Sequence, residues 1–312
     1  MVTSLLIHPE ELTKSWIDRM ADAGVSVLGI HPVGGKEATQ SLTGLLELMK
    51  QEQFRSLIDY ACARGLEIEY EFHAAGYLLP RALFEDHPAY FRMDADGVRT
   101  PEWNFCVSNE EALRIVTDRA MEIIKSLYRS RPYYYIWMDD KRKSHCCCEK
   151  CKKYSSSDQQ MIVLSSIARA LRSWNPDAKL AYLAYEDNVV PPAVQPEDNV
   201  FLEYAPFEKY VATGPDRDEK IRIEQESLQG LIKLVGKTDM KVLEYWFDNS
   251  MLSKWKKPPK EFKLDESAMK QDIQFYKSLG TQQLASFACY LGPDYEALYG
   301  PVDITPFAED GK

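Results

Sequence analysis

Short apolar and β-branched runs alternate along the chain with longer segments in which apolar residues recur every three or four positions. Apolar runs of about four to eight residues are typical of buried strands, and the longer period is typical of helices that bury one face. The strand pattern occurs at residues 4–8, 26–31, 67–73, 133–139, 179–185, 199–204, 241–247 and 283–290. Helical segments lie at residues 14–23, 53–64, 110–129, 159–174, 219–235 and 266–279. The pattern therefore predicts a repeated unit of strand and helix.

Glycines mark the ends of several predicted helices. Gly24, Gly65, Gly236 and Gly280 each stand just before the next predicted strand, as expected of glycines that end a helix. Strand–helix alternation with such short turns implies a parallel sheet, and eight units close it into a barrel. The sequence therefore predicts an α/β fold, a (β/α)8 or TIM barrel, with residues 1–312 forming a single domain.

An open, doubly wound sheet is the alternative arrangement of the same elements. It is disfavoured because Gly34-Gly35 does not complete the glycine-rich phosphate loop that such folds place after an early strand. Residues 74–109 are too long for an ordinary connection, so we expect an elaborated loop after the third strand, over the C-terminal face. About twenty residues follow the eighth strand, so the last helix is predicted to be short or missing.

Composition narrows the function classes. The chain has 312 residues, of which 45% are hydrophobic and 28% are charged, as in ordinary globular proteins with a large core. Its net charge of −10 disfavours binding to nucleic acid or to an anionic membrane, because both require a positive surface, and the one basic cluster, residues 141–143, is short enough for a solvated loop. The apolar start of the chain is shorter than a signal sequence, and no apolar stretch is long enough to span a bilayer. We therefore expect a soluble cytoplasmic protein.

Barrel enzymes carry their chemistry at the C-terminal ends of the strands, where the loops converge on one opening. In this sequence the predicted ends are rich in carboxylates and aromatic side chains. Aromatic faces stack on sugar rings, and carboxylates bind hydroxyl groups and supply the acid and base of glycosidic cleavage. The alternative is that each acid is a paired or solvated rim residue and each aromatic ring belongs to the core. The predicted substrate-binding residues are His31, Glu71, His73, Trp137, Tyr185, Tyr204, Trp246, Asp248 and Tyr290.

Two adjacent carboxylates, Asp139 and Asp140, stand at the end of the fourth predicted strand. Neighbouring carboxylates repel one another, which raises the pKa of one and keeps it protonated as a general acid while the other stays ionised. The pair is therefore the predicted catalytic centre. The alternative is that Asp140 caps a turn and Asp139 pairs with a loop lysine such as Lys141.

A second catalytic carboxylate is expected across the opening. Glu244, Trp246 and Asp248 alternate along and just beyond the seventh predicted strand, and so share one face. If that face points into the barrel mouth, Trp246 forms the floor of the sugar site and Glu244 completes the catalytic pair. Glu203, on the sixth strand, competes for that role.

Four of the seven cysteines lie within residues 145–151, HCCCEKC. The C-x-x-C half of this run is the spacing typical of structural zinc, and a third cysteine precedes it. The fourth ligand is expected from the long third loop, with His145 as the next candidate. The predicted zinc ligands are Cys106, Cys146, Cys148 and Cys151. Four thiolates leave zinc no open position, so the ion would be structural and catalysis would need no cofactor. Unliganded thiols and a disulfide are the alternatives.

Four short motifs stand in order along the chain: HPAYF at residues 87–91, NFCVSN at 104–109, WMDD at 137–140 and C-x-C-x-x-C at 146–151. Together they resemble the bacterial proteins grouped as domain of unknown function 4838. Those proteins look like distant relatives of the family-20 β-hexosaminidases and the α-glucuronidases. The resemblance covers roughly residues 1–300 and implies a barrel glycosidase.

The resemblance also implies residue roles. In hexosaminidases an Asp-Glu pair ends the fourth strand, where Glu is the general acid and Asp steadies the substrate's acetamido group, which itself attacks the anomeric carbon. By this likeness Asp140 matches the acid and Asp139 the acetamido partner. Asp140 is one methylene shorter than the expected Glu, which leaves ordinary two-carboxylate hydrolysis open.

The expected function is cleavage of a glycosidic bond in a carbohydrate substrate by carboxylate acid/base catalysis, with N-acetylated sugars as one candidate class. Two alternatives come from other classes. One is a barrel that binds glycans without turnover. The other is a metal-dependent hydrolase or isomerase that uses His31, His73, Glu71 and the two aspartates of the fourth strand.

Overall fold

The computed structural model describes residues 1–212, 217–235 and 239–311. Its strands are β1 (Val2–Ile7), β2 (Val27–Ile30), β3 (Glu67–His73), β4 (Tyr133–Trp137), β5 (Lys179–Ala184), β6 (Val200–Tyr204), β7 (Lys241–Glu244) and β8 (Gln283–Phe287). They pair in parallel in chain order, and β8 returns to pair with β1. This closed topology confirms the (β/α)8 barrel, and the open-sheet alternative is wrong.

Helices occupy the connections and form a layer outside the barrel. They are α1 (Lys14–Ala23), α2 (Ala38–Leu48), α3 (Glu52–Ala63), α4 (Ala75–Leu78), α5 (Glu110–Ser126), α6 (Ser156–Trp174), α7 (Glu208–Val211), α8 (Arg217–Val235), α9 (Glu266–Ser278), α10 (Pro293–Tyr299) and α11 (Thr305–Asp310). Between β2 and β3 the sequence predicted one helix, which corresponds to α3, and the structure has a second helix, α2, before it. Gly24, Gly65 and Gly280 adopt a positive φ after their helices, as predicted, and Gly236 lies outside the described residues.

Both predicted departures from a regular barrel are confirmed. The connection from β3 to α5 contains α4 and two antiparallel bridges, Phe91 with Phe105 and Met93 with Arg99. After β8 the chain forms two short helices, α10 of seven residues and α11 of six. None of the described helices is long and apolar enough to cross a bilayer.

Side chains alternate between the barrel interior and the helix layer, as a pleated strand requires. On β7 the side chains of Lys241 and Leu243 point inward, whereas those of Val242 and Glu244 contact the helix layer. The strand ends at Glu244, three residues earlier than predicted. The alternation nevertheless continues to Trp246, whose indole contacts the helix layer, so Glu244 and Trp246 share the outward face.

Close packing of two strands gives a test of the barrel interior. Gly29 on β2 pairs with Leu6 on β1, and a Cβ at position 29 would lie 2.7 Å from Cγ of Leu6. We expect Gly29→Ala to lower the free energy of unfolding by about 1–3 kcal/mol, the usual cost of overpacking. Gly44 in α2 is the control because a Cβ there meets nothing within 4 Å, so Gly44→Ala should raise stability by about 0.5–1 kcal/mol. Urea unfolding measures both, and stabilisation by Gly29→Ala would contradict this packing.

Candidate functional site

A cavity of about 530 Å³ opens at the C-terminal ends of the strands. This is the face at which barrel enzymes bind their substrates. Its polar lining includes His8, His31, His73, Asp140, Tyr185 and Asp248, and its aromatic lining includes Trp137, Phe207, Tyr245, Trp255, Phe287 and Tyr290. Seven of the predicted site residues therefore meet in one cavity, namely His31, His73, Trp137, Asp140, Tyr185, Asp248 and Tyr290.

Three histidines from β1, β2 and β3 form one wall of the cavity. Nδ1 of His8 lies 2.7 Å from the carbonyl oxygen of His31, Nδ1 of His31 lies 2.9 Å from that of Glu71, and Nδ1 of His73 lies 2.5 Å from that of Met138. A carbonyl only accepts, so each Nδ1 carries the proton and each Nε2 is left as an acceptor in the neutral ring. Wherever one of these rings is neutral, the wall therefore offers an acceptor to a hydroxyl group.

The middle histidine is held neutral by its surroundings. Burial, and then the neighbouring rings of His8 and His73, lower the pKa of His31 well below its ordinary value. The His31 ring also packs against Trp137 and Phe287, with centroids 5.4 and 5.0 Å away. This side of the cavity therefore combines an apolar surface with a fixed acceptor, which is the chemistry that a sugar ring with its hydroxyl groups requires.

Asp140 and Asp248 are the aspartates of the cavity. The hydroxyl group of Tyr185 donates to Oδ1 of Asp140 at 3.1 Å. Oδ2 of Asp140 faces Gly34, where a Cβ would lie 3.5 Å from it and 2.9 Å from Cδ2 of His73. Any larger residue at position 34 would thus fill the space beside Asp140, so this glycine keeps one oxygen of the carboxylate accessible.

Asp248 is held by the backbone and side chain of Ser250. The Ser250 amide donates to Oδ1 at 3.0 Å, and the Ser250 hydroxyl donates to Oδ2 at 2.9 Å. Burial raises the pKa of Asp248, and the two Ser250 bonds oppose that rise. Tyr245 lies near both aspartates: burial, and then the charges of Asp140 and Asp248, raise its pKa well above its ordinary value. The phenol therefore stays protonated between the two carboxylates.

Asp139 does not reach the cavity, so the prediction that both aspartates act on substrate is wrong for this residue. Its Oδ2 lies 3.2 Å from Nη2 of Arg81, and its backbone amide donates to Oδ1 of Asn104 at 3.0 Å. Burial raises the pKa of Asp139, and Arg81 opposes the rise. The partner is an arginine of the long third loop and not Lys141, so Asp139 belongs to the support behind Asp140.

Glu71 and Glu203 lie inside the barrel beneath the cavity, and their predicted roles on substrate are wrong. Nζ of Lys241 contacts Oε2 of Glu69 at 3.0 Å, Oε1 of Glu71 at 2.5 Å and Oε1 of Glu203 at 3.6 Å. All four residues are at most 1% exposed. Trp137 Nε1 donates to Oε2 of Glu203 at 2.7 Å, so this tryptophan closes the cavity over the ion cluster.

Two oxygens of this buried cluster lack a hydrogen-bond partner, Oε2 of Glu71 and Oε1 of Glu203. Burial raises the pKa of Glu71 well above its ordinary value, and the charge of Lys241 opposes this. Burial also raises the pKa of Glu203, and Lys241 again opposes the rise. Burial therefore favours the protonated form of these carboxyl groups, and Lys241 favours the ionised form.

Glu244 points away from the cavity into the helix layer. It is fully buried and accepts hydrogen bonds from Lys209 at 2.6 Å, Tyr210 at 2.7 Å and Tyr276 at 2.5 Å. Lys241 and Leu243 occupy the inward face of β7, so the alternation of the strand places Glu244 on the outward face. The prediction that Glu244 is a second catalytic carboxylate is therefore wrong. Glu244 instead joins the barrel to α7 and α9.

Trp246 and Tyr204 also face outward, which corrects their predicted contact with substrate. Trp246 Nε1 donates to Asp272 at 2.9 Å, and the Tyr204 hydroxyl donates to the carbonyl of Glu224 at 3.3 Å. Tyr245, missed by the sequence analysis, lines the cavity in place of Trp246. Leu243 points into the barrel, and a strand period of two places Tyr245 on the same face. This period would have identified Tyr245 once the inward face of β7 was known.

The four predicted cysteine ligands are brought together beside the cavity loops. The Sγ atoms of these residues all lie within 4.8 Å of one another, and all four side chains are buried: Cys106, Cys146, Cys148 and Cys151. No disulfide forms, since all seven cysteines are free. His145 is not part of this group.

The family to which the chain belongs follows from its sequence. Residues 47–287 match the family described as domain of unknown function (DUF4838). The chain is a member of the DUF4838 family. No curated protein matches it.

Solved structures with the same fold include several glycoside hydrolases. The β-N-acetylhexosaminidase from Bacteroides fragilis NCTC 9343 has a TM-score of 0.61 at 15% identity, covering 99% of this chain and 65% of that one. A GH18 chitinase from Pseudoalteromonas aurantia has a TM-score of 0.53 at 8% identity, covering 99% and 100%. An O-GlcNAc hydrolase mutant from Thermobaculum terrenum has a TM-score of 0.53 at 12% identity, covering 99% and 58%. At these identities the likeness shows the fold alone, and this DUF4838 chain spans about two thirds of the hexosaminidase.

The buried cluster beneath the cavity yields a stability prediction. Lys241→Met leaves Glu71 and Glu203 without their cation, while Arg131 still lies 3.4 Å from Glu69. We therefore expect a loss of about 3–5 kcal/mol of unfolding free energy. The loss should grow from mildly acidic to neutral pH, because carboxyl groups whose pKa is raised in the folded state cost more as the pH rises through it. Lys179→Met is the control: Lys179 begins β5, pairs with Asp239 and is 31% exposed, so its loss should stay below about 1 kcal/mol. Equal losses in urea unfolding would contradict the buried cluster.

Proposed function

We propose that this protein is a glycoside hydrolase that binds carbohydrate in the barrel-mouth cavity and cleaves a glycosidic bond with Asp140 and Asp248. The observation that carries the proposal is the presence of two aspartates in one cavity whose lining also includes several aromatic rings and three histidines. Glycosidic cleavage needs two carboxyl groups on either side of the scissile bond. The rings supply stacking surfaces, and the histidines supply acceptors for hydroxyl groups.

The two carboxylates take different parts. Asp140 follows β4, the position to which the family resemblance assigns the general acid, and its Oδ2 is kept accessible by Gly34. Asp248 follows β7, and Ser250 fixes both of its oxygens. Asp140 donates the proton to the leaving oxygen, and Asp248 acts as the second carboxylate in place of Glu203 or Glu244.

The buried position of Asp139 favours this two-carboxylate chemistry over a substrate-assisted one. A residue that steadies an acetamido group must contact the sugar, and Asp139 contacts Arg81 instead. N-acetylated sugars remain a candidate substrate class, since similar solved structures include a β-N-acetylhexosaminidase and a chitinase. A neutral glycan suits His31, whose lowered pKa keeps the ring an uncharged acceptor of hydrogen bonds.

A metal-dependent hydrolase is less well supported by the same geometry. Ring centroids of His8 and His31 are 5.8 Å apart, and those of His31 and His73 are 6.5 Å apart. Among the described residues, the group of side chains placed to hold a metal ion is the set of four cysteines outside the cavity. The cavity therefore fits a sugar better than an ion.

A panel of chromogenic glycosides, assayed with and without chelator, tests the proposal. We expect turnover of at least one glycoside, unchanged by chelator. Turnover lost with chelator would point to the metal-dependent alternative. Glycan binding without turnover would show a carbohydrate-binding barrel, and either result would overturn the hydrolase.

The role of Asp140 predicts a selective loss. Asp140→Asn should lower the cleavage rate by about 10²–10⁴-fold on substrates with a poor leaving group, because these need the proton most. An aryl glycoside with a good leaving group should lose much less. Asp118→Asn, at an exposed position on α5, is the control and should retain full activity. Equal losses on both substrates, or none on either, would show that Asp140 is not the acid.

The role of Asp248 predicts a shift in pH dependence. Hydrogen bonds to an ionised carboxylate lower its pKa, so Ser250→Ala should raise the pKa of Asp248 further and move the acidic limb of kcat/KM to higher pH. Ser253→Ala is the matched control, because Ser253 lies on the same loop and its hydroxyl accepts from the Lys260 amide. An acidic limb that stays in place or moves to lower pH in Ser250→Ala would remove Asp248 from the mechanism.

A further inference from the structure

We propose that Cys106, Cys146, Cys148 and Cys151 bind one structural zinc ion that joins the loops after β3 and β4. The cysteine spacing alone left free thiols and a disulfide open as alternatives. The fold now brings the distant Cys106 into contact with the other three. The site stands apart from the catalytic cavity, so it does not depend on the proposed hydrolase activity.

Two of the sulfur–sulfur distances match tetrahedral zinc. Sγ of Cys106 lies 3.7 Å from that of Cys148 and 3.8 Å from that of Cys151, and all four sulfurs lie within 4.8 Å of one another. Four zinc–sulfur bonds of about 2.3 Å in a tetrahedron place the sulfurs about 3.8 Å apart. A disulfide would need a distance of about 2.05 Å. The arrangement therefore suits a four-thiolate zinc site better than a disulfide.

The surroundings provide the donors that such a thiolate set requires. The backbone amide of Met93 donates to Sγ of Cys146 at 3.3 Å, and the hydroxyl of Ser108 lies 3.0 Å from Sγ of Cys151. The guanidinium of Arg99 lies near Cys106 and favours its thiolate form. Four thiolates exceed the charge of Zn²⁺ by two, and nearby donors and one cation stabilise that excess. All four ligand positions are protein thiolates, so the ion is structural.

The metal site connects to the cavity through two short links. Cys106 lies two residues after Asn104, and Cys146 lies two residues after Ser144. Asn104 donates to the Ser144 hydroxyl at 2.7 Å and accepts from the Asp139 amide at 3.0 Å. Zinc would therefore hold together the two loops that fix the backbone at Asp139. This residue immediately precedes Asp140, the carboxylate of the cavity.

Metal analysis of the full-length protein, purified without added metal, tests the proposal. We expect about one equivalent of zinc per chain. Cys106→Ser should lower this content about tenfold, because it removes one of four ligands. Cys147→Ser is the matched control, since Cys147 stands in the same run but is not part of the four-cysteine group, and its Sγ lies 3.9 Å from the carbonyl oxygen of His145. Its zinc content should equal that of the unsubstituted protein.

A second measurement keeps the test decisive if Cys106→Ser does not fold. A mercurial reagent added to the unsubstituted protein should release zinc to a coloured indicator as the thiols react, and all seven cysteines should titrate as thiols after denaturation. Zinc below about a tenth of an equivalent would overturn the site. So would iron in its place, two missing thiols from a disulfide, or an equal loss of zinc in Cys147→Ser.

Discussion

The ammonium group of Lys241 occupies the centre of the barrel, and the cavity above depends on it. It lies among Glu69, Glu71 and Glu203 and 4.0 Å from the centroid of Tyr135. Burying three carboxyl groups without a cation would be too costly for a stable fold. The lysine, together with Arg131 at 3.4 Å from Glu69, makes a polar barrel interior possible. The strands β3, β4, β6 and β7 are thereby joined at one level.

The buried cluster around Lys241 orients one of the aromatic side chains that line the cavity. Glu203 accepts the indole hydrogen of Trp137 at 2.7 Å and so orients the ring that lines the cavity. The histidine rings are oriented by the carbonyl groups at the ends of neighbouring strands. Asp140 and Asp248 then follow β4 and β7, which stand three positions apart around the barrel. The site is thus positioned by the strands, while the loops beyond them bring the carboxylates to the substrate.

The sequence predicted the barrel well because strand and helix periods are local properties of the chain. Cavity residues at strand ends, such as His31 and Tyr185, could be found in the same way. The positions of Glu203 and Glu244 could not be predicted in this way. The sequence around a carboxylate near a strand end is the same whether the side chain faces a cavity, a buried lysine or a helix. Lys241 lies inside the barrel, where an apolar residue is expected. It pairs with Glu203 there, and its inward position places Glu244 on the opposite face of β7.

Asp139 shows a second limit of sequence reasoning. Its partner Arg81 is 58 residues away, on a loop without a regular period, so no local pattern predicts the pair. The cysteine run was easier, because C-x-x-C spacing limits the ligand geometry. Even there, the contact of Cys106 with the run depends on how two loops fold over the barrel.

The most direct test of the account is a crystal structure of Asp140→Asn with an oligosaccharide that the active protein cleaves. We expect a sugar ring in the barrel-mouth cavity against one of its aromatic faces. The glycosidic oxygen should lie about 3 Å from the side chain at position 140, with Asp248 on the opposite side of the bond. A sugar bound outside the cavity, or a glycosidic oxygen beyond hydrogen-bonding distance of that side chain, would contradict the proposed site.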